Sequence, residues 1–216
     1  MSGIREVITG GDFKRMVSGA YSEFLLEYEN INSQPGAGTL PGTHILRTMG
    51  AAVMPLADAK DDSIGGLSRR VATAAVFGAR GNAGVVLAQM FRGIATGLSG
   101  KYDATGSEFG KAFQYGILYA QRSLPDNSEN TFIIVAKAVA KGAYHAVRDN
   151  MPIVEILNKA IQSGEKITNE SGQGNAGASI MISFLKGCLK GLDGNFVSPT
   201  VSLSLGLGIH KNMPDP

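Results

Sequence analysis

The chain has 216 residues, with 20 Lys and Arg against 18 Asp and Glu, which gives a formal net charge of +2. This length suffices for one domain with a substantial core and no disulfides, and the near-balance of charge gives no reason to expect a nucleic-acid partner. The opening residues lack the apolar core of a signal peptide, and no stretch is long and apolar enough to span a bilayer. We therefore expect a cytoplasmic protein in which the single Cys188 is a small core residue.

Apolar residues recur at intervals of three and four along most of the chain, which predicts an almost wholly helical protein. The short connections predict that successive helices run antiparallel. Ser63 is expected to cap the third helix, and Gly194 to end the last one in a left-handed conformation. The predicted helices span residues 10–29, 43–57, 63–77, 82–98, 106–122, 131–148, 153–168 and 177–192.

The last part of the chain has a different character. From Val197 to Ile209 apolar residues alternate with small ones, and two prolines follow near the end. We therefore expect a helical domain over residues 1–194, followed at 195–216 by an arm or a linker that could lead into a further domain.

Three glycine-rich loops, at residues 35–44, 78–84 and 172–179, each lead into a predicted helix. A helix N-terminus has free backbone N–H groups and partial positive charge, which suits a phosphate. The middle loop adds the fixed charge of Arg80, and Asn82 is the expected N-cap of the helix that follows. Several such ends on one side of a bundle would suit a nucleotide polyphosphate. The alternative, left open, is a set of tight turns whose glycines only permit close packing.

Two familiar phosphate-binding motifs are absent. Gly172, Gly174 and Gly177 have the spacing of the dinucleotide fingerprint, but the residues before them are polar and irregular instead of forming a strand. The Gly-Thr-His at 42–44 lacks the Lys-Ser/Thr of a Walker A loop. The histidine there, His44, opens a helix after a glycine-rich loop, where it could meet a phosphate or cap the turn.

The segment GARGNAGVVLAQMFRG resembles GARGNSGVILSQLFRG, a signature of the DhaL/DAK2 domain, which is the nucleotide-binding domain of dihydroxyacetone (glycerone) kinases and bacterial fatty-acid kinase. The stretches ITGGDFKRMVSGA at 8–20, SENTFIIV at 128–135 and residues 175–192 resemble other family segments in the same order. The resemblance covers about residues 4–193. It implies an all-α fold, an eight-helix antiparallel barrel of DhaL type with ATP or ADP in a crevice at one end.

The resemblance also implies which residues face the nucleotide. Those on the 78–84 loop would contact the phosphates, those at 42–44 would lie across the crevice, and two more would lie at its rim. The implied contacts are Gly42, Thr43, His44, Gly78, Arg80, Gly81, Asn82, Ala83, Gly84, Thr131 and Asn175.

The chain departs from the family where the family binds its metal. In the family loop NVFPVPDGDTGTNM two aspartates are metal ligands, and with the shared Gly-Thr in register Gly38 and Leu40 stand in their places. His44 replaces an asparagine of the family, Asn175 an aspartate and Ala83 a serine. The sequence therefore assigns no metal ligand, and ordinary Mg²⁺-dependent catalysis is less expected than its loss.

Two main functions follow from the resemblance and its departures. The first is phosphoryl transfer from ATP to a substrate presented by a partner domain or subunit, either dihydroxyacetone-binding or DegV-like and fatty-acid-binding. The second is a non-catalytic module for partner docking or regulation. A third interpretation is a crevice that holds a neutral or apolar ligand. The sequence assigns no catalytic residue and leaves a homodimer open.

Overall fold

The computed structural model describes residues 7–36, 38–60, 63–124, 131–170 and 175–196. Within these ranges the fold is almost entirely helical, so the predicted all-α class is confirmed. The arm or linker expected at 195–216 lies, from residue 197 onward, outside the described residues. The elements are β1 (Val7–Ile8), α1 (Gly10–Asn32), α2 (Pro41–Ala57), α3 (Ile64–Gly78), α4 (Gly81–Gly97), β2 (Ala104–Thr105), α5 (Gly106–Arg122), α6 (Thr131–Arg148), α7 (Ile153–Glu170) and α8 (Ala176–Leu192).

Capping residues explain why the helices begin where they do. Ser63 caps α3 by accepting a hydrogen bond from the Gly66 N–H at 3.1 Å, as predicted. Thr9 and Thr105 open α1 and α5 with capping boxes. Gly194 lies just beyond α8 with φ of 84°, the predicted left-handed conformation.

The helices form a closed ring. Each helix contacts the next one along the chain, and α1 packs against α8. Because successive helices run in opposite directions, α2, α4, α6 and α8 all begin at the same end of the barrel. At the opposite end, β1 pairs with β2 in a short antiparallel sheet that the sequence did not predict.

The core of the barrel is apolar and includes Tyr21, Phe24, Met49, Leu87 and Phe91. A cavity of about 160 Å³ lies between α1, α4, α5, α6, α7 and α8, with mainly apolar walls. Cys188 is buried beside it, and this burial raises the pKa of the thiol well above its ordinary value. The prediction that Cys188 is a core residue is therefore confirmed. None of the described helices is both apolar enough and long enough to cross a membrane.

Glycine allows a very close contact between α1 and α8, the two helices that close the ring. A Cβ on Gly19 would lie 2.2 Å from the carbonyl oxygen of Gly187, and a Cβ on Gly191 would lie 2.1 Å from that of Arg15. No side chain fits into such a gap, so these glycines set the distance between the two helices. The same pair is joined by an ion pair between Lys190 and the buried Glu23, 2.5 Å apart.

We expect Gly19→Ala to lower the free energy of unfolding by about 1–3 kcal/mol, because the added methyl forces α1 away from α8. Urea denaturation measures the change. Gly110→Ala on α5 is the matched control, since its Cβ would meet Val147 at an ordinary 3.5 Å. That variant should be neutral or gain up to about 1 kcal/mol of helix propensity. Equal losses in both variants would contradict the packing argument.

Candidate functional site

The N-termini of α2 and α4 are in direct contact at one end of the barrel. The His44 ring of α2 covers Gly81, the first residue of α4, so that a Cβ on Gly81 would lie 2.1 Å from His44 Nδ1. Gly81 also has φ of 55°, a left-handed conformation that favours glycine. Both constraints explain why glycine is required at this turn.

The N-termini of α6 and α8 meet at the same end. A Cβ on Gly177 would lie 2.8 Å from the backbone nitrogen of Phe132. The Ala176 N–H donates to the Pro35 carbonyl at 3.0 Å, and the Ser179 hydroxyl is 2.6 Å from Gln34 Oε1. These contacts join α8 to the loop that precedes α2. The structure therefore brings the described parts of all three glycine-rich loops together.

The start of α4 has no side-chain cap. The helix begins at Gly81 with Arg80 as its N-cap residue, so the prediction that Asn82 is the N-cap was wrong. Asn82 lies instead in the first helical turn. The first helical hydrogen bond of α4 is made by the Gly84 N–H, which donates to the Arg80 carbonyl at 3.1 Å. Within the described ranges, the N–H groups of Gly81, Asn82 and Ala83 thus lack an acceptor.

Thr48 of α2 holds this turn in place. Its buried hydroxyl oxygen accepts a hydrogen bond from the Arg80 N–H at 3.3 Å, and the hydroxyl donates to the His44 carbonyl at 2.8 Å. A Cβ on Gly84 would lie 2.4 Å from the same oxygen, so α4 begins directly against α2. The Arg80 side chain remains exposed, and its guanidinium donates to the Ala79 carbonyl at 2.8 Å. Gly78 likewise packs on α2.

Asn32, the last residue of α1, caps α2. Its Oδ1 accepts hydrogen bonds from the N–H groups of Gly42, at 2.8 Å, and Thr43, at 3.2 Å, while its Nδ2 donates to the Thr43 hydroxyl at 2.9 Å. A Cβ on Gly42 would lie 2.0 Å from the Tyr28 carbonyl oxygen. Two of the predicted nucleotide contacts, Gly42 and Thr43, therefore have an internal role in starting α2.

The two predicted rim residues occupy the starts of α6 and α8. Thr131 is the first residue of α6 and is partly buried. Asn175 is the N-cap of α8, where its Oδ1 accepts a hydrogen bond from the Gly177 N–H at 2.8 Å. Its amide group lies beside Gly36, whose Cβ would be 2.6 Å from Asn175 Nδ2. Asn175 thus links the α8 N-terminus to the loop before α2.

His44 is uncharged at neutral pH. Partial burial and the nearby positive charge of Arg47 lower its pKa below the ordinary value of 6.5. A neutral imidazole offers one N–H donor and one acceptor nitrogen. One nitrogen of Arg47, Nη2, is buried without a hydrogen-bond partner among the described residues. Sequence reasoning did not select Arg47, although it follows His44 by less than one helical turn.

In the part of the chain that the structure describes, this site has no cluster of carboxylates. Gly38 and Leu40, which stand in the places of the family's metal-binding aspartates, are exposed, and Leu40 is the N-cap residue of α2 with φ of 47°. Glu29 lies in the last turn of α1 and Glu170 ends α7, both at this end of the barrel, and both are exposed. Among the described residues, no three His, Cys, Asp or Glu side chains lie close enough to hold a metal ion. The donors present suit a phosphate and do not suit a carboxylate-bound Mg²⁺.

Comparison with known protein families shows which family the chain belongs to. The model of the DAK2 domain matches residues 41–189, from the start of α2 to the last turn of α8. The chain belongs to the DAK2 domain family. The matched region contains all four helix N-termini described above, and the closed eight-helix ring is the fold that the family resemblance implied.

The DAK2 domain is also similar to curated proteins from staphylococci. It is 27% identical over 183 residues to an uncharacterized protein of Staphylococcus haemolyticus, covering 80% of this chain and 33% of that protein. An uncharacterized protein of Staphylococcus epidermidis has the same identity and coverage. An uncharacterized protein of Staphylococcus aureus is 27% identical over 188 residues, covering 82% of this chain and 34% of that protein. The chain therefore spans about a third of the length of these relatives.

We expect the DAK2 domain to lose stability on acidification through His44. Because its pKa is lower in the folded than in the unfolded state, the unfolded state binds the proton more readily. The contribution of neutral His44 is therefore complete above pH 6.5 and is lost as the pH falls from there through the folded-state pKa. NMR titration of the ring should give a pKa below 6.5.

Urea denaturation at several pH values tests the linkage to stability. The control His44→Gln should lose less unfolding free energy than the wild type between about pH 7 and pH 5. A His44 ring that titrates above 6.5, or the same pH dependence in both proteins, would contradict the prediction.

Proposed function

We propose that this DAK2 domain binds a nucleotide by its phosphates at the end of the barrel where α2, α4, α6 and α8 begin, and acts in phosphoryl transfer from ATP. The uncapped start of α4 carries the proposal. There the N–H groups of Gly81, Asn82 and Ala83 have no acceptor within the described ranges. Phosphate oxygens are the acceptors that such a helix start binds best.

The charges around this turn support the same ligand. Arg80 is exposed beside the free N–H groups, and neither it nor Arg47 forms an ion pair among the described residues. The aligned peptide dipoles of α4 add partial positive charge at its start. A polyphosphate is strongly anionic and would satisfy these groups together. Arg80 and the α4 N–H groups would hold it, and His44, held over Gly81, would offer one neutral donor or acceptor.

ATP would supply the transferable phosphoryl group, and the acceptor would be presented by a partner domain or subunit. A dihydroxyacetone-binding partner and a DegV-like, fatty-acid-binding partner are the candidates that the family resemblance implies. The staphylococcal relatives are about three times as long as the matched region, which leaves room in them for further domains. The partner and the acceptor are part of this proposal.

A second candidate is a non-catalytic DAK2 module that binds a nucleotide or a partner without phosphoryl transfer. Its support is the donor set: Gly38 and Leu40 offer no side-chain ligand, and the oxygen of Asn175 is used as a helix cap. Loss of one well-placed electrostatic contact in an active site typically costs about 3–4 kcal/mol of transition-state stabilisation. Loss of the metal ligands would cost more, and would leave a site that binds phosphate without activating it.

Isothermal titration calorimetry with ADP and ATP, each with and without Mg²⁺, tests nucleotide binding. We expect micromolar binding that weakens about tenfold or more in Arg80→Ala, because a charge-assisted hydrogen bond contributes about 1.5–3 kcal/mol. Arg148→Ala is the matched control, since Arg148 ends α6 at the opposite end of the barrel.

The Mg²⁺ dependence separates the two candidates. Binding that requires Mg²⁺ would favour phosphoryl transfer, to be followed by assays of ADP release with the two candidate partner classes. Binding that ignores Mg²⁺ would favour the non-catalytic module. If folded protein bound neither nucleotide, the nucleotide proposal would be wrong.

A further inference from the structure

The helices differ sharply in the charges that they carry. Helices α2, α3, α4, α6 and α8 contain no Asp or Glu, and the single carboxylate of α5, Glu108, pairs with Lys101 at 2.6 Å. The remaining helical carboxylates all lie on α1 and α7. As a result, Arg69, Arg70 and Arg92 of α3 and α4 have no ion pair within the described ranges.

A groove runs between the outer faces of α3 and α4, and we call it the α3–α4 groove. Its lining is apolar at Ala72, Val76 and Ala95. It also includes one arginine from each helix, Arg69 of α3 and Arg92 of α4. Thr73 and Phe77 complete the lining.

The groove has an exposed aromatic anchor. Phe77 is 82% exposed, the highest value among the large apolar side chains of the described residues, and the adjacent Val76 is 40% exposed. An exposed aromatic ring beside arginines that form no ion pair with the described residues has the composition of a protein-binding hot spot, in which aromatic residues and Arg are enriched.

We propose that the α3–α4 groove binds an acidic amphipathic helix of a partner protein. Apolar side chains of that helix would pack on Phe77 and Val76, and its carboxylates would pair with Arg69 and Arg92 on either side. A concave groove between two helices favours such an occupant, because ridges of side chains from a third helix fit between them.

The groove opens close to the candidate nucleotide site, because Phe77 lies in the last turn of α3 and α4 begins at Gly81. A partner bound there would lie beside the turn that carries Arg80. The proposal does not depend on nucleotide binding, since none of the groove residues belongs to the predicted nucleotide contacts. The two proposals can therefore fail separately.

Selection from a random peptide library displayed on phage tests whether the groove binds such a helix, and it does not require the partner protein to be identified. The wild-type domain is the target, and Phe77→Ser is the counter-selection target. We expect enriched peptides with apolar residues at helical spacing and flanking Asp or Glu. Synthetic versions should bind the wild type in fluorescence anisotropy, and at least tenfold more weakly after Phe77→Ser or the double change Arg69→Glu and Arg92→Glu.

Tyr102→Ser and Arg122→Glu are the matched controls, since both side chains are exposed and lie outside the groove. Neither should change peptide affinity, and circular dichroism should show that every variant is folded. Nucleotide titration of Phe77→Ser should match the wild type, which separates this test from that of the nucleotide site.

Three results of the peptide selection would overturn the proposal. They are no enrichment over the counter-selection target, enriched peptides without acidic residues, and peptides whose affinity is the same for Phe77→Ser. Sedimentation with phosphatidylserine vesicles provides a further arm. Suppose that the wild type bound vesicles, Phe77→Ser did not, and no peptide bound. That result would assign the surface to a membrane and would also overturn the proposal.

Discussion

Closure of the ring between α1 and α8 is the contact on which the rest of the structure depends. Glycines on both helices bring the backbones together where no side chain fits, and the Lys190–Glu23 ion pair joins the same two helices. Because the ring holds an even number of antiparallel helices, closing it places four helix N-termini at one end. The position of the candidate phosphate site is therefore determined by the topology of the ring more than by any one side chain.

The two ends of the barrel use their helix starts differently. At the end with the short sheet, Thr9, Ser63 and Thr105 accept hydrogen bonds from the first N–H groups of α1, α3 and α5, so these donors contribute to stability. At the opposite end, α8 has its own cap, Asn175, and α2 takes its cap from Asn32 of α1, but α4 has none. Donors that have no acceptor at a glycine-rich turn in the described residues are available to a ligand with acceptor oxygens, such as the phosphates of the proposed nucleotide.

The sequence predicts the helices well because their signals are local. Apolar periodicity places α5 and α6 at the predicted residues, and the family signature identifies the α4 turn. The prediction for Asn82 failed because α4 begins at Gly81 with Arg80 as its N-cap residue, and arginine is not among the residues that N-cap preferences favour. Asn32 and Thr48 were missed for a different reason: each acts on a segment ten or more residues away along the chain, and only the folded ring brings them there. The strands β1 and β2 are too short to show a period.

The uneven distribution of carboxylates has a consequence at long range. On α1, α7 and α8 several basic side chains are neutralised in pairs, as in Arg15–Asp12, Lys186–Glu165 and Lys190–Glu23, whereas the arginines of α3 and α4 are not. Among the described residues, the arginines of α3 and α4 therefore keep uncompensated positive charge, which is a source of positive field on their side of the barrel. Such a field turns an approaching anion toward that side before any contact is made, and it raises the rate of encounter more than the final affinity. Since the field is screened within about 8 Å at physiological salt, ionic strength would govern how fast anionic ligands and partners arrive.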